Sequence, residues 1–259
     1  MFTQRQGSSL PFLSPKQLEL RERDSRILRA ARTLVLDLGY HGITMDHIAK
    51  ASDCPKGTLY HRFVSKEDIL VALASDSLER RTALMRRGAA YPGRARERMV
   101  GLAESIALFT RLNPEDSRIL HMTTGPVREK ASPERIMSLF NIEKGTVEIL
   151  RGVLDEAIRT GDLVPEFDGM LDEMALGVWG LVEGSFTLIE SGIPEHALGI
   201  TDPFHKTWSF FNRSADAYKW RPLSSEWDYL KTLADVRRVV FAEEAESLYG
   251  PGQWYGDQA

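Results

Sequence analysis

The chain has 259 residues, 42% of them apolar, and a formal net charge of −4 at pH 7. This length allows one large domain or two smaller ones, with enough apolar residues for a hydrophobic core. The whole chain carries no basic field, but residues 1–72 hold 11 Lys and Arg against 8 Asp and Glu, a net of +3. Residues 73–259 hold 22 against 29, a net of −7. A mildly basic N-terminal part on an acidic remainder indicates a polyanion-binding end.

The remaining composition favours a cytoplasmic protein. Cys54 is the only cysteine, so an internal disulfide is excluded and a reducing compartment is expected. The N-terminus lacks the basic start and the apolar run of a secretory signal. No segment reaches the roughly 18 apolar residues that span a membrane. The nearest, residues 176–192, is interrupted by Glu183 and Glu190, so we expect no membrane partner.

Residues 1–72 read as a flexible arm followed by three helices. Residues 1–21 are rich in Gly, Ser, Pro and Gln and predict the arm, and one apolar stripe predicts a helix over residues 22–38 that ends at Gly39. Thr44 is a natural N-cap for a short helix, and a second short helix over residues 56–63 has Leu59 and Phe63 as inward anchors. Ser65 then caps a long helix. Two short helices joined by a tight turn predict a helix-turn-helix within residues 22–72.

Downstream, the pattern stays helical. Cap and proline signals and apolar periodicity predict helices near residues 95–112, 115–123, 133–160, 168–191 and 224–248. Residues 193–222 are expected to be an aromatic-rich connection, and residues 250–259 a flexible tail. No period-2 alternation is present, so we predict an all-α chain with a larger helical domain over residues 73–249.

The second short helix has a polar face suited to nucleic acid. With its two anchors turned inward, the other face offers a cation, a glycine that allows close backbone approach, and hydroxyl and imidazole donors. Neighbouring helices begin nearby, and their free amides favour an anion. We expect DNA contacts from seven residues: Thr44, Lys56, Gly57, Thr58, Tyr60, His61 and Lys66.

Residues 39–70, "GYHGITMDHIAKASDCPKGTLYHRFVSKEDIL", resemble the DNA-binding head of the tetracycline-repressor (TetR) family. The specific part is "KGTLYHRF" followed by "SKEDIL". The resemblance implies DNA contacts by the same seven residues, together with a helical domain for dimerisation and ligand binding. Three positions depart from the family pattern: Asp53 replaces a usual glycine, Pro55 a common serine, and Arg62 a frequent tyrosine. We expect the turn to survive, because Asp tolerates the left-handed region.

One recognition helix reads too few base pairs to find a unique site, so a homodimer on a palindromic operator in double-stranded DNA is expected, with heads ~34 Å apart. The helices at residues 168–191 and 224–248 are the predicted dimer surface, because the first is apolar nearly all round. The alternative is that both complete a monomeric core. The predicted interface residues are Leu171, Val178, Val182, Ile189, Leu230, Leu233 and Val240.

The resemblance also implies a small-molecule pocket in the helical domain. The predicted lining residues are Phe109, His121, Met122, Phe140, Trp179 and Phe186. A ligand there would tilt the helix near residues 66–87 and change the distance between the two heads. Occlusion of a promoter by the dimer makes repression the expected outcome.

Two other classes of function fit the sequence less well. An enzyme is disfavoured, because the six histidines show no metal-ligand spacing and no nucleophile or phosphate-loop motif is present. We therefore predict no catalytic residue, metal or cofactor. Two alternatives keep the same head: a DNA-binding regulator without a small-molecule effector, and an architectural or protein-binding module that uses the head as a docking surface.

Overall fold

The computed structural model describes residues 14–254, and all regular secondary structure in that range is helical. The helices are α1 (Pro15–Gly42), α2 (Met45–Ala51), α3 (Lys56–Arg62), α4 (Lys66–Ala89), α5 (Ala95–Leu112), α6 (Pro114–Met122), α7 (Gly125–Lys130), α8 (Pro133–Arg159), α9 (Met170–Ser191), α10 (Ile193–Leu198), α11 (Pro203–Ala217), α12 (Tyr229–Val240) and α13 (Ala242–Tyr249). The predicted fold class is confirmed. None of these helices combines the length and the apolar character needed to cross a membrane.

Helices α1, α2 and α3 form the head around a shared core. Ile27 of α1, Ile48 of α2, and Leu59 at the middle of α3 are fully buried together with Phe63. The turn between α2 and α3 places Asp53 at φ 48°, in the left-handed region, as the sequence predicts. The head is therefore a helix-turn-helix whose second short helix is held by its two apolar anchors.

Helix α1 begins earlier than predicted. Ser14 caps it by accepting a hydrogen bond from the Gln17 amide, and the Gln17 side chain accepts one from the Ser14 amide at 2.8 Å. Residues 15–21 are therefore helical, and the predicted arm is wrong for that stretch, because a complete capping box starts the helix there. Residues 1–13 of the predicted arm and residues 255–259 of the predicted tail lie outside the described residues.

Helix α4 connects the head to the rest of the chain and runs against α5 and α8. It crosses α5 where Gly88 faces Gly101, with no side chain between the two backbones. A Cβ at Gly88 would lie 2.2 Å from the Gly101 carbonyl oxygen. Helices α5, α6, α8 and α9 lie within two residues of their predicted bounds, so those predictions are confirmed.

Residues 193–222 are not a connection, because α10 and α11 lie within them. Asp202 caps α11, accepting from the His205 amide at 3.0 Å, and Pro203 occupies the first turn. The inner side of α11 carries Trp208 and Phe211, whose rings are stacked with centroids 4.8 Å apart. Aromatic residues in this segment therefore belong to a packed helix.

The predicted helix over residues 224–248 is two helices in the structure. Asp228 caps α12, and the chain leaves helical geometry at Phe241, which is fully buried between α12 and α13. The unpredicted short helix α7 fills the link between α6 and α8.

A buried arginine holds the segment after α11. The Arg96 side chain on α5 is fully buried and donates to the main-chain carbonyls of Asn212, Trp220 and Pro222. It also pairs with the Asp216 carboxylate at 2.7 Å. Two of these contacts satisfy the carbonyl groups of Trp220 and Pro222, which the segment after α11 would otherwise bury without partners.

Candidate functional site

The outer face of α3 brings together most of the predicted DNA-contacting residues. Lys56, Gly57, Tyr60 and His61 are exposed there, and Thr58 is partly exposed. Tyr60 keeps 48% of its surface, a large exposure for an aromatic side chain. This face therefore consists of polar and aromatic groups over a fixed apolar base.

Two features keep this face accessible to a backbone or a phosphate. A Cβ at Gly57 would meet no atom within 4 Å. The Lys56 ammonium lies 2.6 Å from the Asp46 carboxylate, but both side chains are 61% exposed. An exposed pair of this kind contributes little to stability, so a phosphate can replace the carboxylate.

Thr44 and Lys66, predicted to flank α3, differ in what they offer. Thr44 is exposed, and its hydroxyl accepts from the His47 amide at 3.2 Å as the N-cap of α2. The Lys66 ammonium instead donates to the main-chain carbonyls of Tyr40 and Ile43, at 2.7 and 3.0 Å. The side chain of Lys66 thus holds the link between α1 and α2, and the DNA contact predicted for Lys66 rests on the free amides at the start of α4.

Arg62 is also engaged within the head. Its guanidinium donates to both carboxylate oxygens of Asp24 on α1, and the Nε contact is 2.8 Å. The hydrogen bond from Asp24 raises the pKa of Arg62 above its ordinary value, although burial opposes the shift. Arg62 therefore fastens α3 to α1.

A cavity of about 680 Å³, here called the inner cavity, lies among α4, α6, α7, α8 and α9. Three of the six predicted pocket residues line it: His121, Trp179 and Phe186. The volume is within the range of small-molecule sites, ~300–1,000 Å³. The inner cavity is therefore large enough for a small ligand.

The structure corrects the other three predicted pocket residues. Phe109 is buried in the packing of α5, Met122 packs against the head core, and Phe140 is 50% exposed on α8. None of them lines either cavity described here. The helical repeat of the sequence shows that such residues face inward or outward, but not which neighbours they meet.

A second cavity of about 1020 Å³, here called the C-terminal cavity, lies among α5, α9, α11, α12 and α13. Four of its charged groups form two pairs: Glu104 with Arg237 at 2.7 Å, and Arg111 with Asp202 at 2.7 Å. Both side chains of the first pair are 5% exposed. These charges need no ligand to balance them.

An apolar wall separates the two cavities. Five residues line both of them: Met85, Ile106, Leu150, Val178 and Val182. Val178 and Val182 are therefore directed into the chain's interior. Both side chains are also partly exposed, so their place in a dimer interface stays a prediction.

The exposed side of α9 is apolar and smooth. Leu176, Trp179 and Leu188 are 70%, 50% and 48% exposed, and a Cβ at Gly180 or Gly184 would meet no atom within 4 Å. Helix α11 packs beside α9 and adds Phe210, which is 58% exposed. Such an extended apolar surface is typical of an interaction site.

The other predicted interface residues lie in two places. Leu171 and Ile189 are partly buried on α9, whereas Leu230, Leu233 and Val240 belong to α12, which packs on α5 of the same chain. Leu233 is buried and lines the C-terminal cavity. The helix beside α9 is α11, so the predicted pairing of α9 with the 224–248 segment is corrected.

A buried carboxylate joins the head, α4 and α6. Asp116, 1% exposed at the start of α6, accepts hydrogen bonds from Arg32 of α1 at 2.5 Å, Ser77 at 2.6 Å and Arg80 at 2.7 Å. Burial alone would raise the pKa of Asp116, but these hydrogen bonds outweigh it and hold the pKa below its ordinary value. The far end of α6, including His121, lines the inner cavity. One short helix therefore contacts both the head and the cavity.

Comparison with known proteins identifies the head. Residues 27–73 match the family described as bacterial regulatory proteins, tetR family. The chain is 39% identical over 70 residues to the HTH-type transcriptional regulator UidR of Escherichia coli, a match that spans 36% of that protein. Over 162 residues it is 27% identical to the fatty acid metabolism regulator protein of Bacillus subtilis, covering 62% of this chain and 80% of the relative.

The fold is also shared with solved structures. The transcriptional regulator FadR from Bacillus subtilis, solved in complex with stearoyl-CoA, superposes with a TM-score of 0.56 at 20% identity. The match covers 79% of this chain and 99% of that one. At this identity the superposition shows a common fold: a helix-turn-helix head on a larger helical domain.

Proposed function

This chain belongs to the TetR family of bacterial transcriptional regulators, and from that premise we propose that it is a homodimeric repressor released from its operator by an apolar small molecule. The observation that carries the proposal is the outer face of α3, where Lys56, Tyr60 and His61 stand exposed above buried anchors. Acting on DNA, the protein works in the cytoplasm of its cell.

In this proposal, α3 enters the major groove of double-stranded DNA. Lys56 exchanges Asp46 for a phosphate or a guanine edge, and Gly57 lets the backbone come close. Tyr60 and His61 donate to phosphate oxygens. Thr44 and the first amides of α4 bind phosphate at helix N-termini, where the helix dipole favours an anion.

The two heads of a palindromic site require two chains. We assign the dimer surface to α9 and α11, because Leu176, Gly180, Gly184 and Phe210 form an exposed apolar surface there. The same two helices from a second copy would complete a four-helix bundle. Burial of this surface supplies the hydrophobic free energy of association.

The inner cavity is the proposed effector site. In the C-terminal cavity Glu104 pairs with Arg237 and Arg111 with Asp202, whereas the inner cavity has Arg81, which forms no ion pair within residues 14–254. The relative with the longest match is named a fatty acid metabolism regulator, and the FadR structure holds stearoyl-CoA. We therefore propose a ligand with an acyl chain.

Helix α6 connects the cavity to the head. A ligand that displaces His121 and Thr123 moves α6, and Asp116 at its other end is bonded to Arg32 in α1. The same carboxylate holds Ser77 and Arg80 of α4. Ligand binding thus changes the position of the head relative to α4. A coupling of about 1–3 kcal/mol would lower operator affinity about 5- to 150-fold.

Selection of bound sequences from random double-stranded DNA with the purified protein tests this function. We expect a palindrome with half-sites about one helical turn apart. In a gel-shift titration on the selected site at fixed salt, we expect Tyr60→Ala and Lys56→Ala to abolish specific binding. Lys144→Ala is the control: it makes the same change of charge as Lys56→Ala on the exposed side of α8 and should leave binding unchanged.

Two outcomes would contradict the proposal. If no sequence is enriched over bulk competitor DNA, the chain does not act as a site-specific regulator. If the affinity for DNA depends little on salt concentration, a protein-docking role for the head is favoured instead. Contacts to DNA phosphates require that affinity to fall steeply as salt increases.

A further inference from the structure

Arg81 of α4 is a charged side chain at the inner cavity for which the described residues provide no partner. It lines the cavity, its Nε is buried, and that atom has no hydrogen bond within residues 14–254. No carboxylate in the same range lies within 4.0 Å of its guanidinium, in contrast to Arg80 and Arg87 on the same helix. Burial lowers the pKa of Arg81, with Glu183 and Glu143 acting in the opposite direction.

The surroundings of Arg81 are mainly apolar. Leu78, Ile106, Val147 and Phe186 are among the residues that line the same cavity. A guanidinium has five N–H donors and no acceptor, and buried donors without partners cost free energy. Arg81 is partly exposed, but its buried Nε needs an acceptor, and a ligand in the inner cavity can supply one.

We propose that the effector is a monocarboxylate with an apolar tail, such as a free fatty acid, and that Arg81 binds its carboxylate inside the inner cavity. The inference rests on the proposed effector role of this cavity. Charge-assisted bidentate hydrogen bonds from Arg to a carboxylate are shorter and stronger than neutral ones, so the head group is selected as well as the tail.

The charge balance favours a single negative charge over a phosphate dianion. Arg128 pairs with Glu143 at 2.5 Å, and Asp172 pairs with Arg151, so these lining groups are already neutralised. The remaining lining charges are Arg81 and Glu183. Both ligands would face Glu183, but a dianion would bring two negative charges to the one guanidinium, whereas a monocarboxylate brings a single charge that Arg81 can balance.

The position of Arg81 also connects this contact to the response. Arg80 directly precedes Arg81, and Ser77 lies one helical turn before Arg81. Arg80 and Ser77 both donate to Asp116. A carboxylate held by Arg81 therefore pulls on the part of α4 that carries the connection to the head. The tail, in the meantime, contacts α6, α8 and α9 around the cavity.

Calorimetric titration of the full chain at pH 7 with dodecanoate and with dodecan-1-ol, which share one tail, tests the proposal. We expect dodecanoate to bind at least about 10-fold more tightly than the alcohol. Arg81→Met should remove that preference and leave the affinity for the alcohol within about threefold. Arg86→Met, the same change on the exposed side of α4, should alter neither affinity.

Two further measurements distinguish a loss of ligand binding from a loss of folding. Circular dichroism checks that Arg81→Met is folded, and Arg81→Lys, which keeps the positive charge, should retain part of the preference for dodecanoate. Equal affinities of wild type for both ligands, or a preference that survives in Arg81→Met, would overturn the inference while leaving the cavity as an effector site. Binding of neither ligand would overturn both.

Discussion

Asp116 illustrates how one buried side chain can serve both stability and signalling. Its carboxylate is almost fully buried, yet it accepts from three donors on two other helices. The carboxylate stabilises the fold only while it is ionised and accepts these hydrogen bonds. Without it, its donors would be buried without a partner, and such a donor costs ~1–3 kcal/mol. The residue therefore reports on the contact between the head and the rest of the chain.

We predict that Asp116→Asn lowers the free energy of unfolding by ~1–3 kcal/mol at pH 7. The folded-state pKa of Asp116 lies below its unfolded value, so its stabilisation is fully present above pH ~3.9 and is lost as pH falls through the folded value. Urea unfolding should therefore show a larger difference between wild type and variant at pH 7 than at pH 3. Asp155→Asn, an exposed change on α8, is the control, and a difference that does not depend on pH would contradict the assignment.

At the scale of elements, the crossing of α4 and α5 is set by two glycines. A Cβ at Gly101 would lie 2.3 Å from the Gly88 carbonyl oxygen, at a contact between the C-terminal end of α4 and the interior of α5. Only glycine allows backbones to approach this closely. Since α4 carries the head, the distance between these helices also sets where α4 enters the rest of the chain.

We predict opposite effects from the same substitution at two helical glycines. Gly101→Ala should lower the free energy of unfolding by ~1–3 kcal/mol, because overpacking forces backbone shifts. Gly152→Ala on α8, where a Cβ meets nothing within 4 Å, should raise it by ~0.5–1 kcal/mol through helix propensity. Urea unfolding measures both, and a shift of the same sign and size in the two variants would show that the close crossing is not the cause.

At the scale of the whole molecule, the proposed dimer requires a surface that can join two chains. The proposed interface on α9 would cover Leu176 and Leu188, which are exposed beside glycines with free space above them. The C-terminal helices are engaged elsewhere, since Arg237 of α12 pairs with Glu104 of α5 and donates to the Trp254 carbonyl. They close the C-terminal cavity of their own chain.

We predict that Gly180→Glu converts the dimer to a monomer while the chain stays folded. Within one chain the new side chain meets open space, but in a close helix pair it would place a buried charge at the interface. Sedimentation velocity at micromolar concentration measures the change, and operator affinity should fall with it. Gly152→Glu, on the exposed side of α8, is the matched control and should leave the dimer intact. A Gly180→Glu variant that remains dimeric would place the interface on another surface.

Several elements could be predicted from the sequence because their signals are local. The caps at Thr44 and Ser65, the left-handed residue Asp53 and the anchors Leu59 and Phe63 all act within about 25 residues of chain. Helix α11 had the same kind of signal, since Asp202 and Pro203 start it as Ser132 and Pro133 start α8; the aromatic composition concealed it. Local rules of this kind depend on backbone hydrogen bonds at helix ends.

By itself, the sequence determined the all-α class, the helix-turn-helix and the polar face of α3, because capping and helical periodicity involve neighbours along the chain. Only the tertiary structure decided that the Lys66 ammonium holds main-chain carbonyls, that Val178 belongs to the wall between two cavities, and that Arg81 lacks a partner. Periodicity tells which side of a helix is buried. What that side meets depends on helices distant in sequence, and therefore on how the whole chain packs.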